Sequence, residues 1–324
     1  MRHIFIVNPV AGKADASKTI VPQILDAIHQ QGLSEEEYAI EITQHAGHAG
    51  EIAASFAKTG ERVCLYACGG DGTFHEVLNG AFGYENASIA CVPCGSGNDF
   101  VRNFGPAEEF LNIGQLLQGT EVAIDLMEID GEKSASICSA GLDAQIADGI
   151  DKFRRLPFCG GSMAYTLSII TELLKPLGRP LSIRLDGTEI RQDCLLVAIC
   201  NGGWYGGGYN AGPESLMDDG TLEAQWVKKI GRLRIASVLG MYKKGEHIKD
   251  GAVAPALADV MGFGRAGEVT VTSLDGAPIV ITQDGECRKV TSFTARVLPK
   301  AVRVRVPAAL AASKHLKPQA PAGV

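Results

Sequence analysis

The chain has 324 residues, 46% of them hydrophobic and 21% charged, which suffices for two globular domains of ordinary composition. A formal net charge of −7 argues against nucleic acid as a partner, because contacts along a phosphate backbone need clustered Lys and Arg. Nine cysteines, an odd number scattered through apolar runs, are typical of reduced thiols and argue against a disulfide framework.

Residues 3–127 alternate short apolar runs with amphipathic segments, which is the pattern of a parallel sheet flanked by helices. The predicted strands are HIFIV, YAIEIT, RVCLYAC, SIACVP and EVAIDLM. Between the first two, apolar residues recur at helical spacing from Ile20 to Ile28, with Ser17 as the predicted N-cap and Gly32 as the stop. The segment HAGEIAASFAKTG predicts a second helix.

Three glycine-rich turns follow the first, third and fourth predicted strands. They are NPVAGK at 8–13, GGDGT at 69–73 and PCGSGND at 93–99. Ligands of open α/β sheets collect at the carboxyl ends of the strands, and glycine lets backbone N–H groups approach phosphate oxygens. Neither the P-loop pattern nor G-x-G-x-x-G is present, so the three turns together predict an anion-binding rim of another kind.

Several polar side chains of these turns suit phosphate binding. Lys13 supplies a point charge, Thr73 and Ser96 supply hydroxyl donors, and Asn8 and Asn98 supply amides at the rim. These five side chains are predicted to assist the backbone in holding a phosphorylated ligand.

Asp71 is the unusual member of the set, because a carboxylate among phosphate-binding amides repels the ligand unless a divalent cation lies between them. We therefore expect Asp71 to hold Mg²⁺. The alternative is a turn aspartate that caps the helix beginning near Thr73. Glu76, about one helical turn further on, either braces the loop or is solvated, and Asp99 is either an N-cap or a ligand contact.

The pattern changes at about residue 125. One clear helix, SMAYTLSIITELLKPLG at 162–178, is surrounded by many short strand-like runs, which predicts an antiparallel β-sandwich or barrel. We therefore expect an α/β nucleotide-binding domain at 1–124 and a β-sandwich domain at 125–306. The last strand, RVRVP, either stays in the second domain or returns to the first. No linker separates the two halves, which suggests a shared cleft, and the proline-containing end at 307–324 is predicted to be disordered.

Two loops of the second half are candidates for function. Residues 201–223, NGGWYGGGYNAGPESLMDDGTLE, are too long and too rich in glycine for a hairpin turn. TQDGECRKV at 282–290 ends an apolar strand with Asp284 and Glu286 on either side of a glycine. An ordinary hairpin turn is the alternative for this pair, because Asp-Gly is the strongest short hairpin signal.

The motifs NPVAGK, CGGDGTFHEVLNG, PCGSGNDFVRNFG, NGGWYGGG, PESLMDDG and DGE occur in an order and spacing that resembles the bacterial diacylglycerol kinase family of soluble lipid kinases, which includes sphingosine and ceramide kinases. The resemblance covers residues 1–306 and implies an NAD-kinase-like α/β domain and a β-sandwich, with ATP and Mg²⁺ in the cleft between them. It places nucleotide-binding positions at Asn8, Pro9, Val10, Ala11, Gly12, Thr43, Gly70, Asp71, Gly72, Thr73, Phe74, His75, Glu76 and Ser96.

The resemblance also implies catalytic and metal positions. Asp71 matches the position linked to the catalytic metal, and Asp284 and Glu286 match the catalytic base position, without deciding which of the two is the base. A structural Mg²⁺ site falls on three residues of the long loop, with one side-chain ligand from Asp219 and backbone carbonyls from Leu216 and Thr221.

The implied reaction is transfer of the ATP γ-phosphate to a lipid hydroxyl, with diacylglycerol as the expected acceptor and phosphatidic acid as the product. Ser96 stands where relatives usually have Thr, Cys94 where they usually have Leu, and Ser162 where some diacylglycerol kinases have a basic residue. The last departure leaves other lipids open as the acceptor. The DGE motif argues against the alternative of an NAD kinase. The retained acids argue against the alternative of a silent nucleotide-binding regulator.

We expect a cytoplasmic protein that meets its lipid at the membrane surface, because the apolar stretch of MRHIFIVNP is too short for a signal peptide or a span. Residues 228–249 interleave seven Lys or Arg with apolar residues against one acid, which suits an anionic surface. A domain helix with a solvated basic face is the equal alternative. The sequence leaves the oligomeric state open, with a homodimer among the states it allows.

Overall fold

A computed structural model of the chain describes residues 1–12, 15–154 and 161–313. The chain forms two compact units, of which the first comprises Met1–Leu126 and the segment from Leu298 onward, and the second comprises Met127–Val297.

Strands and helices are numbered in chain order. The strands are β1 (Arg2–Val7), β2 (Tyr38–Ile42), β3 (Val63–Gly69), β4 (Ala87–Pro93), β5 (Thr120–Ile129), β6 (Glu132–Ser134), β7 (Ile137–Gly141), β8 (Arg179–Leu185), β9 (Thr188–Cys200), β10 (Trp204–Tyr205), β11 (Tyr209–Asn210), β12 (Leu222–Lys228), β13 (Ile248–Lys249), β14 (Ala252–Val253), β15 (Met261–Ala266), β16 (Glu268–Ser273), β17 (Ile279–Gln283), β18 (Glu286–Val290) and β19 (Ser292–Val306). The α-helices are α1 (Ala16–Gln31), α2 (His48–Ala57), α3 (Asp71–Ala81), α4 (Asp99–Arg102), α5 (Ile113–Leu117), α6 (Leu142–Arg154), α7 (Gly161–Leu174), α8 (Arg232–Lys244) and α9 (Ala308–Ser313), with short 3₁₀ turns at Glu35–Glu37, Ala107–Leu111 and Pro255–Leu257.

The first unit is the predicted parallel α/β sheet. Its strands lie in the order β2, β1, β3, β4, with the end of β19 parallel to β4 through Val304 and Ile89. Every residue of β3 and β4 is buried, as expected for parallel strands covered on both faces. In register, Val7 lies opposite Cys68 and Gly69 opposite Pro93, so these three strands end level with one another. The glycine-rich turns that follow them therefore share one edge of the sheet.

Helix α1 shows one difference from its predicted boundaries. Its N-cap is Asp15, whose carboxylate accepts the Ser17 N–H at 3.1 Å, so the prediction of Ser17 as the cap is wrong. The carboxylate precedes the helix by one residue and meets the unpaired N–H groups of the first turn directly. Gly32 ends the helix in the left-handed conformation at φ 67°, as predicted.

A buried ionic network joins β5 to β19 within the first unit. Glu121 and Arg305 are both buried and their side chains meet at 2.8 Å, while Arg62 and Ser88 donate to the same carboxylate at 3.1 and 3.0 Å. Burial works to raise the pKa of Glu121, but hydrogen bonds and the Arg305 charge outweigh it and hold the pKa below its ordinary value. The carboxylate is therefore ionised and fully surrounded by donors.

The second unit contains two antiparallel sheets that share β9. One sheet has the order β18, β17, β7, β9, β12, β15, and the other pairs the first half of β9 with β8, β16 and β19. Val197 and Ile199 of β9 point into a core that draws side chains from both sheets. The neighbouring Leu196 and Ala198 point into a second core that also contains Val238 of α8. This arrangement confirms the predicted β-sandwich.

Helix content and the chain end differ from expectation. The sequence does not predict helix α6. Residues 228–249 contain a domain helix, α8, whose residues Ile235, Val238 and Tyr242 are buried, and this is the alternative considered for that segment. The expected disordered tail begins with helix α9, where Ala311 is buried, so that prediction is wrong for Ala308–Ser313. Residues 314–324 lie outside the described residues. Among the helices of the described ranges, none is both long and apolar enough to cross a membrane.

Candidate active site

The glycine-rich turns of the first unit touch one another through their backbones. A Cβ on Gly95 would collide with the Cα of Gly70, and a Cβ on Gly12 would lie 2.7 Å from the carbonyl oxygen of Cys94. The N–H of Cys94 donates to the Gly69 carbonyl at 2.8 Å and fastens the third turn to the end of β3. The three turns therefore form one backbone-lined surface at the edge of the sheet from which larger side chains are excluded.

Asp71 is the first residue of α3, and its carboxylate points to the neighbouring turn. Its Oδ1 accepts the backbone N–H groups of Asp99 and Phe100 at 2.8 and 3.2 Å. Its Oδ2 lies where a Cβ on Gly97 would approach to 2.6 Å, so only glycine fits beside it. Asp71 therefore does cap a helix, as the alternative interpretation holds, but the helix is α4 and not α3, which contains Asp71.

Asn8 and Thr73 are brought together across the first two turns. The Asn8 amide donates to the Thr73 hydroxyl at 2.9 Å, and its carbonyl oxygen accepts the Val10 N–H at 3.1 Å. Thr43 follows β2, is buried, and donates its N–H to the Val7 carbonyl at 2.9 Å. These three predicted positions therefore lie along the ends of β1, β2 and β3.

Some of the residues predicted to contact the phosphorylated ligand have side chains that make contacts within the protein. The Asn98 side chain is bonded to both the N–H and the carbonyl of Gly95, at 3.1 and 2.8 Å, so its amide closes the turn. Phe74 is buried against Phe100 with ring centroids 3.9 Å apart, and it offers a ligand only its backbone. Ser96 is exposed at the tip of the turn. Lys13 lies outside the described residues.

Glu76 braces the adjacent loop, one of the two roles considered for it. Its two carboxylate oxygens accept the N–H groups of Gly47 and Ala49 at 2.9 and 3.1 Å, at the start of α2. A carboxylate at a helix N-terminus is favoured by the helix dipole. The side chain of His75, the preceding residue, lies beside Asn79 on α3, with Nε2 of His75 3.4 Å from the Asn79 amide nitrogen.

Asp284 and Glu286 lie on the predicted hairpin turn between β17 and β18, in the second unit. The carboxylate of Asp284 accepts the N–H groups of Ala135 and Ser136 at 3.1 and 3.2 Å, which fixes its orientation. Glu286 is exposed, and its carboxylate has no hydrogen-bond or ion-pair partner among the residues that the structure describes. The two acids therefore differ: Asp284 is held by the backbone, and Glu286 is available to accept a proton.

Two further groups around this turn were missed by sequence reasoning. Asn201 is fully buried, and its side chain donates to the Ala135 carbonyl at 2.8 Å, behind the N–H groups that hold Asp284. Asp143, at the start of α6, accepts the Tyr205 hydroxyl at 2.9 Å, and burial raises the pKa of its carboxyl to about 6. The NGG motif was the available signal for Asn201, whereas Asp143 had none.

The three predicted structural-metal residues lie in the loop before β12. Asp219 accepts both the N–H and the hydroxyl of Thr221 at 3.0 Å through one oxygen, Oδ1. Its Oδ2 contacts no donor among the described residues, and Leu216 is exposed. A carboxylate oxygen of this kind suits a hard cation that keeps several waters.

A CxxC pair and a His/Glu cluster also contain side chains of the types that bind metals. Burial raises the pKa of Cys94 to about 11 and that of Cys91 well above its ordinary value, so both thiols of this CxxC stay protonated at neutral pH. His45, His48 and Glu51 cluster at the start of α2, but Nδ1 of His48 already accepts the Gln44 N–H at 3.0 Å. Coordination through its other nitrogen would place a proton against that N–H.

Comparison with known proteins gives two family matches. The family described as "Diacylglycerol kinase catalytic domain" matches residues 2–129. The family described as "YegS C-terminal NAD kinase beta sandwich-like domain" matches residues 136–306, which is more than half of the chain. The chain belongs to the diacylglycerol kinase family of lipid kinases.

Relatives of this lipid kinase carry two kinds of name. It is 27% identical over 248 residues to a diacylglycerol kinase of Bacillus subtilis, covering 76% of this chain and 80% of the relative. It is 29% identical over 286 residues to a Stenotrophomonas maltophilia protein named "Probable lipid kinase YegS-like", covering 83% and 86%. A solved diacylglycerol kinase structure from Bacillus anthracis matches the lipid kinase with a TM-score of 0.68 at 20% identity, covering 95% and 98%, and shows the same fold.

Proposed function

We propose that this lipid kinase transfers the γ-phosphate of ATP to the hydroxyl of diacylglycerol and so forms phosphatidic acid. The observation that carries the proposal is the meeting of three glycine-rich turns at level strand ends, where their backbones touch at Gly70 and Gly95. Backbone N–H groups at a helix N-terminus favour phosphate oxygens, and α3 begins at this point. Phosphoryl transfer depends mainly on such positioning and on charge neutralisation.

Asp71 is the residue we assign to the Mg²⁺ that accompanies ATP. Its carboxylate is anchored through Oδ1 by two backbone N–H groups, so its direction is fixed before any ligand binds. Gly97 lies beside Oδ2, and a Cβ at that position would approach this oxygen to 2.6 Å. When bound, Mg²⁺ neutralises charge on the phosphates.

Glu286 is the residue we assign as the general base, and Asp284 the residue that positions the turn. A base must be free to accept the proton of the attacking hydroxyl, and the exposed Glu286 carboxylate is free in this sense. Asp284 already accepts two backbone N–H groups, so its oxygens hold the turn in place. The assignment divides the two acids of the DGE motif into distinct roles.

Diacylglycerol is proposed as the acceptor because several relatives are named diacylglycerol kinase. Relatives named only as lipid kinases keep other lipid alcohols as the second candidate. Both candidates present a hydroxyl to the same base, so the chemistry assigned to Glu286 is common to them.

The proposal is tested by incubating purified protein with γ-labelled ATP, Mg²⁺ and detergent micelles containing diacylglycerol, a sphingoid base or phosphatidylglycerol, with NAD as a further acceptor. We expect labelled phosphatidic acid, and a loss of about 10²–10⁴-fold in kcat for Glu286→Gln. Label only on the sphingoid base or on phosphatidylglycerol would replace the acceptor. Wild-type turnover by Glu286→Gln would remove the base assignment.

The Asp219 loop gives a separate prediction for the structural cation. We propose that Mg²⁺ binds at Asp219 with the carbonyls of Leu216 and Thr221, and a ligand that binds only the native state raises its stability. Removing divalent ions with EDTA should lower the Tm of the wild type more than that of Asp219→Ala, measured by scanning calorimetry. Equal decreases in the two proteins would show that no cation at this loop stabilises the fold.

A further inference from the structure

Gln283, the last residue of β17, has a buried carboxamide without a partner. The residue is 2% exposed, and neither Nε2 nor Oε1 has a hydrogen-bond partner among the residues that the structure describes. Buried side-chain amides are nearly always hydrogen-bonded, because an unpaired one has lost its solvation without compensation. The free protein therefore holds a polar group beside the DGE turn that its own fold does not satisfy.

The turn places Gln283 and Glu286 next to each other. They form the last pair of the β17–β18 ladder, on either side of the two turn residues. Asp284 and Gly285 have φ values of 46° and 100°, which are the left-handed conformations of a tight two-residue hairpin turn. Directly opposed residues of an antiparallel pair have Cβ atoms about 4.5–5.5 Å apart. The Gln283 carboxamide is therefore within reach of the Glu286 carboxylate.

Both side chains leave the sheet on the same face. Ile279 and Ile281 of β17 lie in the sandwich core, and alternation along the strand places Gln283 on their side. On β18, Val290 packs against the same core, so Glu286, four residues earlier, lies on that side as well. The backbone of the sheet thus does not separate the amide from the carboxylate.

Several charged groups surround this end of the sheet. Four of them act on Cys138, the register partner of Gln283, and these are Arg288, Asp130, Asp284 and Asp143. Arg288 shares the face of Glu286, but its Nη2 lies 3.1 Å from Oδ2 of Asp130, an ion pair that engages its charge. Asp284 accepts backbone N–H groups, and Asp143 accepts a tyrosine hydroxyl. The titratable side chains on the other face of β18 are Cys287 and Lys289.

Binding of a lipid acceptor changes the surroundings of Glu286. The carboxylate is exposed in the free protein, where water solvates its charge. A lipid hydroxyl brings an apolar molecule with it and displaces this water, which disfavours the ionised form of a carboxyl group. A donor next to the carboxylate opposes the effect, because a hydrogen bond to the charged form favours that form. The unpaired Gln283 amide is such a donor.

We propose that Gln283 is a positioning residue for Glu286, and that its Nε2–H donates to the Glu286 carboxylate when the acceptor is bound. The bond keeps the base ionised and aims its other oxygen at the acceptor hydroxyl. The hydroxyl proton passes to that oxygen, and the amide keeps both of its own protons. The inference rests on the proposed function in that Glu286 is the base.

The test compares the pH dependence of kcat and of kcat/KM for the wild type and Gln283→Met, with ATP, Mg²⁺ and micellar diacylglycerol. Methionine keeps the length of the side chain but has no donor. We expect kcat to fall about tenfold. The midpoint of its acid limb should move up by about 1 pH unit, because the ionised base loses its donor in the complex. The acid limb of kcat/KM reports the free enzyme and should not move.

Two further measurements separate positioning from a structural role. The Tm of Gln283→Met should equal or exceed that of the wild type, because the substitution removes a buried amide that has no partner in the free protein. In the Glu286→Gln background, Gln283→Met should cause no further loss of kcat, because a positioning residue acts through the base. Thr282→Val, at a buried residue on the opposite face of β17, is the matched control and should keep both wild-type pH profiles.

Three results would overturn the inference. One is an acid limb of kcat that does not move in Gln283→Met. Another is a fall in kcat that is matched by a large fall in Tm, which would make Gln283 a structural residue. The third is a shift of the acid limb confined to Arg288→Gln, which would assign the donor to Arg288. Wild-type turnover by Glu286→Gln would remove the base of the proposed function and this inference with it, whereas an unmoved acid limb beside an inactive Glu286→Gln removes this inference alone.

Discussion

Asp71→Asn should lower kcat about 10²–10³-fold while the protein stays folded, because a neutral amide cannot hold Mg²⁺ against the phosphates as a carboxylate does. The amide oxygen can still accept the N–H groups of Asp99 and Phe100, so α4 keeps its cap. Steady-state kinetics over a range of Mg²⁺ concentrations, together with the Tm, measure both parts of this expectation.

Asp186→Asn is the matched control for Asp71→Asn. Asp186 also accepts two consecutive backbone N–H groups, those of Gly267 and Glu268, at 3.1 and 2.9 Å, but it lies in a turn of the second unit. We expect it to retain wild-type turnover. A fall in turnover that is matched by a large fall in Tm for Asp71→Asn would assign Asp71 to capping alone, and undiminished turnover would remove its metal role.

Glu121→Ala should lower the free energy of unfolding by about 3–5 kcal/mol, because it leaves the buried Arg305 guanidinium without its counter-charge. Arg305 would keep its bonds to the carbonyls of Leu117 and Gly119, which satisfy its donors but do not balance its charge. Urea unfolding followed by circular dichroism at neutral pH measures the loss.

Arg62→Ala tests the same network from its exposed side. The Arg62 side chain is 40% exposed and Glu121 would retain Arg305 and Ser88, so we expect a loss of about 1 kcal/mol or less. If the two substitutions destabilise the protein equally, burial of the Arg305–Glu121 pair is not what makes it important.

The turns of the first unit could be located from sequence because their signals are local. Apolar runs ended by glycine-rich turns predicted the ends of β1, β3 and β4, and parallel strands bring such ends together. The contacts of the Asp71 carboxylate depend on the path of the turn that follows the next strand, β4. Its partners Asp99 and Phe100 are far along the sequence, and no local pattern encodes that distance.

Helix α6 illustrates a different limit. It follows β7 with no turn between them and contains Gly149, a residue that lowers helix propensity. The structure explains this glycine, because a Cβ there would collide with the Ser168 hydroxyl of α7, and the two helices therefore cross closely. A requirement of packing thus weakened the local signal. Asp143 was missed for another reason, because its partner Tyr205 is distant in sequence and no local pattern signals the contact.

The path of β19 has a consequence for how the chain folds during synthesis. The second unit, Met127–Val297, is continuous in sequence, whereas the first unit needs the segment from Leu298 onward for Val304 to pair with Ile89 and Arg305 to reach Glu121. The part of the protein translated first therefore needs the part translated last, because its sheet is incomplete until residues 298–306 have been synthesised. Until then Glu121 lacks Arg305, so we expect the first unit to reach its native sheet only after the rest of the chain has been made.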